Sequence, residues 1–301
     1  MSTVAPEPLT QAYAACEALA RSHYENFPVA SMLLPRAMRP HVAAVYAFAR
    51  KADDFADEGT ASGADRRAAL DEWLRRLHDA VRDVRLKPDA KNVATDDLML
   101  AATANSIREL DLPISLFDDL VSAFAQDTTT TRYGSWHDVL DYCRRSANPV
   151  GRLVLRIAGY HDAALDRSSD ALCTALQLAN FWQDFGRDWR AGRLYVPHEV
   201  QAAVGAHERD LAAGTMTESW VRAIERCVEF TRARFAEGRA VCDGVRGRLR
   251  WELRFTWLGG STILDAVERG RAHLLERRPA LRPADGPRLL MRALSWKTDG
   301  A

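Results

Sequence analysis

The chain has no excess of either charge sign: 41 Lys+Arg stand against 41 Asp+Glu over 301 residues, for a formal net charge of zero. No overall field points to nucleic acid, so any recognition of anions must be local. Cysteine is scarce. Cys16, Cys143, Cys173, Cys227 and Cys242 are odd in number, widely spaced and without a CxxC pair, which speaks against a disulfide framework and a zinc site and for reduced thiols in a cytoplasmic protein. The eight histidines are scattered, and no Glu-x-x-His pair occurs. A transition-metal centre or a carboxylate-bridged di-iron bundle is therefore not expected.

Long apolar runs are also missing. The longest uncharged run, 171–183, falls well short of the roughly 20 apolar residues that a membrane-spanning helix needs. The opening residues show no basic segment followed by an apolar one, so no secretory signal is expected there. Membrane contact, if any, would be peripheral. Strict alternation rich in β-branched residues is rare, no repeat of 20–50 residues is visible, and no Pro/Gly/Ser-rich linker divides the chain.

What is present is helical periodicity with 47% hydrophobic and 27% charged residues, a balance that supports a sizeable core. The expectation is an all-α protein forming a single domain over 1–301. Helices are expected from about Pro8 and over 40–57, 65–84, 95–110, 113–125, 136–145, 150–160, 168–190, 217–239, 247–268 and 287–296. Loops fall at 57–64, 86–94, 128–134, 147–149 and 192–197, the third of these opening with the Thr run at 128–131.

Two helices carry polar stripes. Tyr46, Arg50, Asp53 and Asp57 are spaced four, three and four apart, which places them on one face. The two carboxylates stand about 6 Å apart along the axis, suited to hard cations. Cys173, Gln177, Asn180, Asp184 and Asp188 form a second stripe on a helix whose other residues are mostly apolar. If that helix is deeply packed, its polar row requires compensation, and Mg²⁺ is the economical partner. Asp96, Asp97, Asp118 and Asp119 are expected to be solvated acids.

These residues resemble the squalene/phytoene synthase family across about 23–257. Its RxxDxxxD motif matches Arg50, Asp53 and Asp57, its NxxxDxxxD motif matches Asn180, Asp184 and Asp188, and GRxYxP matches Gly192, Arg193, Tyr195 and Pro197. The resemblance implies an isoprenoid synthase helical bundle with a central apolar cavity. It implies Mg²⁺ binding by Asp53, Asp57, Asn180, Asp184 and Asp188, and substrate or diphosphate contacts from Tyr24, Arg50, Gln177, Arg193 and Tyr195. Tyr142 would face the reactive carbons, with Phe48, Phe181 and Trp182 as further wall residues.

Three stretches depart from the common family pattern: HYENF at 23–27, Ser146-Ala147-Asn148 in place of VAG, and Gln183 and Arg187 inside the second motif. In these the chain resembles the bacterial branch that removes diphosphate from presqualene diphosphate and captures the cation with water, without NADPH, in hopanoid synthesis. Asn148 and Gln183 are candidates to hold that water. The alternatives are head-to-head condensation of farnesyl diphosphate, or its longer phytoene-forming version, and a non-catalytic assembly factor of the same fold. Handover from a presqualene diphosphate synthase and peripheral contact with the inner membrane, through Arg246, Arg248, Arg250, Arg254, Arg277 and Arg278, complete the expectations.

Overall fold

The computed structural model describes residues 7–22, 33–57, 61–83, 94–282 and 285–296. Among them β-structure is limited to an isolated parallel bridge between Arg132 and Leu194, and the fold is all-α. The chain divides into two compact units, Met1–Thr129 with Pro149–His161, and Thr130–Asn148 with Asp162–Ala301.

In the first unit, α1 (Glu7–Ser22), α2 (Arg39–Asp57), α3 (Gly63–Arg82), α4 (Thr95–Glu109) and α5 (Ser115–Asp127) pack with α2 against all the others. Pro40 sits in the first turn of α2, where its missing N–H costs nothing. Ser62 caps α3 by accepting from the Asp65 N–H at 3.2 Å. Phe48 of α2 stacks on Trp73 of α3 and meets Phe117 of α5 edge-on, with ring centroids 5.6 and 5.3 Å apart. Burial of each such side chain contributes roughly 1.5–3 kcal/mol. The acids of α4 and α5 do more than meet water: Asp96 pairs with Lys51 at 3.2 Å, Asp97 with Arg76 at 2.5 Å and Asp118 with His78 at 2.6 Å, so three of them join neighbouring helices. At the end of α5, Thr128 and Thr129 hydroxyls donate back to the Ala125 and Gln126 carbonyls and close the helix.

The second unit is built on α8 (Ala163–Gln183), capped by Asp162, whose carboxylate accepts from the Ala164 and Leu165 N–H groups at 2.7 and 2.9 Å. Against it pack α6 (Trp136–Ser146), α12 (Glu218–Gly238), α13 (Val241–Gly244) and α14 (Gly247–Gly270). Gly238 permits a close backbone approach of α12 to α8, since a Cβ there would lie 2.5 Å from the Leu172 nitrogen. Trp182 is fully buried and donates to the Thr231 hydroxyl at 2.8 Å. α7 (Asn148–Ile157), which from Pro149 onward belongs to the first unit, follows α6 after Ala147 alone, so the loop expected at 147–149 shrinks to one residue. The helix expected over 168–190 is broken at Asp184 and resumes as α9 (Phe185–Arg190). The stretch to which no helix was assigned holds α10 (His198–Val204) and α11 (Glu208–Ala212), and α15 (Asp285–Leu294) closes the described chain.

Candidate active site

On α2 the inward face is Val45, Phe48, Ala52 and Ala56, and Tyr46, Arg50 and Asp53 are left half-buried on the other side, ending in exposed Asp57. Arg50 reaches one turn forward, from Nη2 to Asp54 at 2.7 Å and from Nη1 to Asp53 at 3.3 Å. The guanidinium thus holds two carboxylates in place on its own helix. Burial pushes the Tyr46 phenol above its ordinary pKa, opposed by the Arg50 charge. Phe48, read as a wall residue, is instead fully buried between Trp73 and Phe117. Tyr24 lies outside the described residues.

On α8 the second stripe is accessible. Leu172, Ala175, Leu178, Ala179 and Trp182 are buried, whereas Cys173, Gln177 and Asp184 are half-buried and Asn180 is exposed. The expectation that this row lies in a deeply packed core is corrected: the helix is amphipathic, and the polar residues occupy its open side. Burial therefore imposes no demand for a metal, and the case for one rests on the donor chemistry. The break at Asp184 does not disturb the ladder, because the Asp184 N–H donates to the Asn180 carbonyl and the Asp188 N–H to the Asp184 carbonyl, both at 2.8 Å. The i, i+4 order of the three oxygen-bearing side chains survives the break.

The segment after α14 straps this region. Arg278 contacts Asp184 through Nε at 2.5 Å and Nη2 at 3.2 Å. Gln183, buried, donates to the Pro279 carbonyl at 2.7 Å, and Arg190 donates to the Leu275 carbonyl at 2.8 Å. Sequence reasoning placed Gln183 at the reacting water; its amide nitrogen is engaged in holding the strap. Asn148 is also engaged, accepting from the Thr174 hydroxyl at 3.0 Å. Neither Arg278 at Asp184 nor Thr174 at Asn148 has a local sequence signal, because both pairs are distant along the chain.

Beyond α9 the chain reverses at Gly192, whose φ of 83° lies in the left-handed region. The Arg193 N–H then donates to the Asp188 carbonyl at 2.8 Å, which sets Arg193 beside the end of the acidic motif. Leu194 and His198 N–H groups bind the Thr131 and Tyr133 carbonyls at 3.0 and 2.9 Å. That pairing delivers Tyr195 to Phe181, where the rings stack at 3.7 Å with 6° between planes. Tyr142 and Tyr133 complete an aromatic cluster with centroid separations of 5.6 to 6.3 Å. Tyr133 was missed, since an aromatic in a loop carries no periodic signal. Trp182, read as a wall residue, points away into the core at Thr231.

The implied Mg²⁺ fits the chemistry of these donors, which are carboxylate and amide oxygens. Among the described residues no three His, Cys, Asp or Glu side chains gather closely enough to hold a metal unaided. One or two carboxylates, with water and diphosphate oxygens filling the remaining positions, is the usual arrangement for Mg²⁺.

Known proteins are similar to this chain over most of its length. The model of the squalene/phytoene synthase family matches residues 20–285. A hydroxysqualene synthase of Zymomonas mobilis is 40% identical over 188 residues, 62% of this chain and 59% of that protein, so the match spans less than two thirds of the relative's length. The hydroxysqualene synthase of Rhodopseudomonas palustris is 32% identical over 74% of this chain and 72% of its own. The crystal structure of the squalene synthase HpnC from Alicyclobacillus acidocaldarius is 40% identical, with a TM-score of 0.78 over 88% of this chain and 95% of that one.

Proposed function

We propose that this chain, which belongs to the squalene/phytoene synthase family, converts presqualene diphosphate and water to hydroxysqualene and diphosphate, as a carbon–oxygen lyase that uses Mg²⁺ and no NADPH. The observation that supports it best is the adjacency on α8 of an oxygen ladder and an aromatic wall: Asn180 opens the ladder to Asp184 and Asp188, and the next residue, Phe181, stacks on Tyr195. A diphosphate and the carbocation it leaves behind need those two environments side by side.

Asp53, Asp57, Asn180, Asp184 and Asp188 would hold Mg²⁺. When bound, the metal neutralises charge developing on the departing diphosphate. Arg50 and Arg193 would bind diphosphate oxygens, with Gln177 on the same accessible stripe of α8 and Tyr24 among the substrate contacts. As the C–O bond breaks, the electron pair leaves with diphosphate. The aromatic cluster of Tyr142, Phe181 and Tyr195 would stabilise the cation during its rearrangement. Water then adds through oxygen and gives up a proton. The Asn148 amide N–H₂ and the Gln183 carbonyl are the handles left to position it.

Presqualene diphosphate would come from an enzyme that condenses two farnesyl diphosphates head to head, on the cytoplasmic side of the inner membrane. The test is product analysis of purified protein with Mg²⁺ and without NADPH, given presqualene diphosphate or farnesyl diphosphate. Hydroxysqualene from the first substrate alone, abolished by chelation, is the expected result. Presqualene diphosphate formed from the second would make the chain a condensing prenyltransferase, and inertness toward both would return it to the non-catalytic reading.

A further inference from the structure

Leu290, Met291 and Leu294 of α15 are 50%, 68% and 67% exposed. At helical spacing they share one outward face with Pro287, while buried Ala293 and half-buried Leu289 take the opposite side. The outward register is held from behind. Trp296, just past the helix, donates from Nε1 to the two Asp243 oxygens at 3.1 and 3.3 Å, and the Arg239 guanidinium lies 3.9 Å from its ring centroid. Arg254 pairs with Asp243 at 2.7 Å and lies over both Trp296 and Trp251. Trp251 of α14, 36% exposed, therefore borders the end of α15.

The segment that carries this face is one-sided in charge. Residues 277–296 contain Arg277, Arg278, Arg282, Arg288 and Arg292 against Asp285 alone, in a chain whose net charge is zero. Arg288 is exposed and Arg292 half-buried, both to one side of the apolar stripe. Most of the arginines that the sequence offered to lipid are engaged within the protein, among them Arg250 with the Val245 carbonyl at 2.8 Å, Arg254 with Asp243 and Arg278 with Asp184. We propose that α15 is an interfacial helix that seats this chain on an anionic lipid surface, with Leu290, Met291 and Leu294 inserted at the acyl boundary and Arg288 and Arg292 at the headgroups. Three side chains and a proline on a short helix fall short of the roughly 800 Å² per partner that a stable protein interface buries. A lipid surface needs no such area, since modest apolar insertion and basic charge act together.

The test uses the full chain and vesicles of phosphatidylcholine with or without phosphatidylglycerol, and is independent of turnover. Wild-type protein is expected to co-sediment with the anionic vesicles at low salt and to be released by added salt. The Leu290→Glu/Met291→Glu/Leu294→Glu variant is expected to lose about tenfold or more of that binding with an unchanged circular dichroism melt. Arg288→Glu/Arg292→Glu, which leaves the apolar stripe intact, should weaken binding to anionic vesicles and not to neutral ones. Equal binding of wild type to both vesicles, no binding at low salt, or an undiminished triple variant would overturn the proposal. So would a wild-type dimer that the triple variant turns into a monomer, which would assign the face to a second copy.

Discussion

At the residue scale, Gly186 shows how tightly the acidic motif is fitted to its strap. A Cβ at this position would stand 2.4 Å from the Leu274 carbonyl oxygen and 2.6 Å from that of Leu275. Both obstacles are backbone, so they cannot rotate aside. Gly186→Ala is expected to cost about 1–3 kcal/mol, read as a lowered urea midpoint against wild type; an unchanged midpoint would mean the strap is not seated there. The arginines illustrate a related point. Arg50, Arg190 and Arg278 each reach a group on or beside the aspartate motifs, yet only Arg50 lies within a motif that spacing reveals.

At the scale of elements, the break between α8 and α9 and the strap over it act as a unit. Gln183 is the residue before the break, and its donation to the Pro279 carbonyl fixes the strap one residue from Arg278. Gln183→Leu keeps the volume but removes the donor, and leaves that carbonyl to find water. The strap should then open, exposing the Arg277–Arg278 bond to trypsin several-fold faster than in wild type, with mass spectrometry locating the cut. Unaltered cleavage would show that the Arg278–Asp184 pair and the Arg190 bond to the Leu275 carbonyl hold the strap without Gln183. The expected helices at 40–57, 95–110 and 217–239 correspond closely to α2, α4 and α12. In these helices a continuous apolar stripe dominates local chemistry, whereas Asp184, where α8 breaks, meets a partner nearly a hundred residues away.

At the scale of the whole molecule, pH should act on the first unit through His41. Its Nδ1 lies 2.9 Å from the Ser106 hydroxyl of α4 and 3.3 Å from the Tyr13 hydroxyl of α1, so it joins three helices. Ser106 spends its proton on the Ala102 carbonyl at 2.9 Å, which leaves its oxygen to accept from the neutral imidazole. Burial pushes the His41 pKa below its ordinary value of 6.5, with the Glu109 charge opposing. The unfolded chain takes up that proton first, so the stabilisation is full above about pH 6.5 and declines as pH falls below it. His41 is only half-buried, and the slope should stay well under the one-proton limit of about 1.4 kcal/mol per pH unit. Urea midpoints at pH 7.5 and 5.5 should separate further for wild type than for His41→Gln; parallel shifts would remove His41 from the account.

The sequence by itself determined the helical class, most helix positions and the two acidic motifs, because each is written in residues three and four apart. It did not determine which side of α8 faces out, and the burial argument for a metal failed for that reason: apolar flanks around a polar row look the same whether the row is enclosed or open. Tertiary structure alone decided that Trp182 and Phe48 are core, that Tyr133 joins Tyr142, Phe181 and Tyr195, and that Arg278 meets Asp184. Each depends on where distant segments come to rest, and that is set by the packing of whole helices and not by the local period.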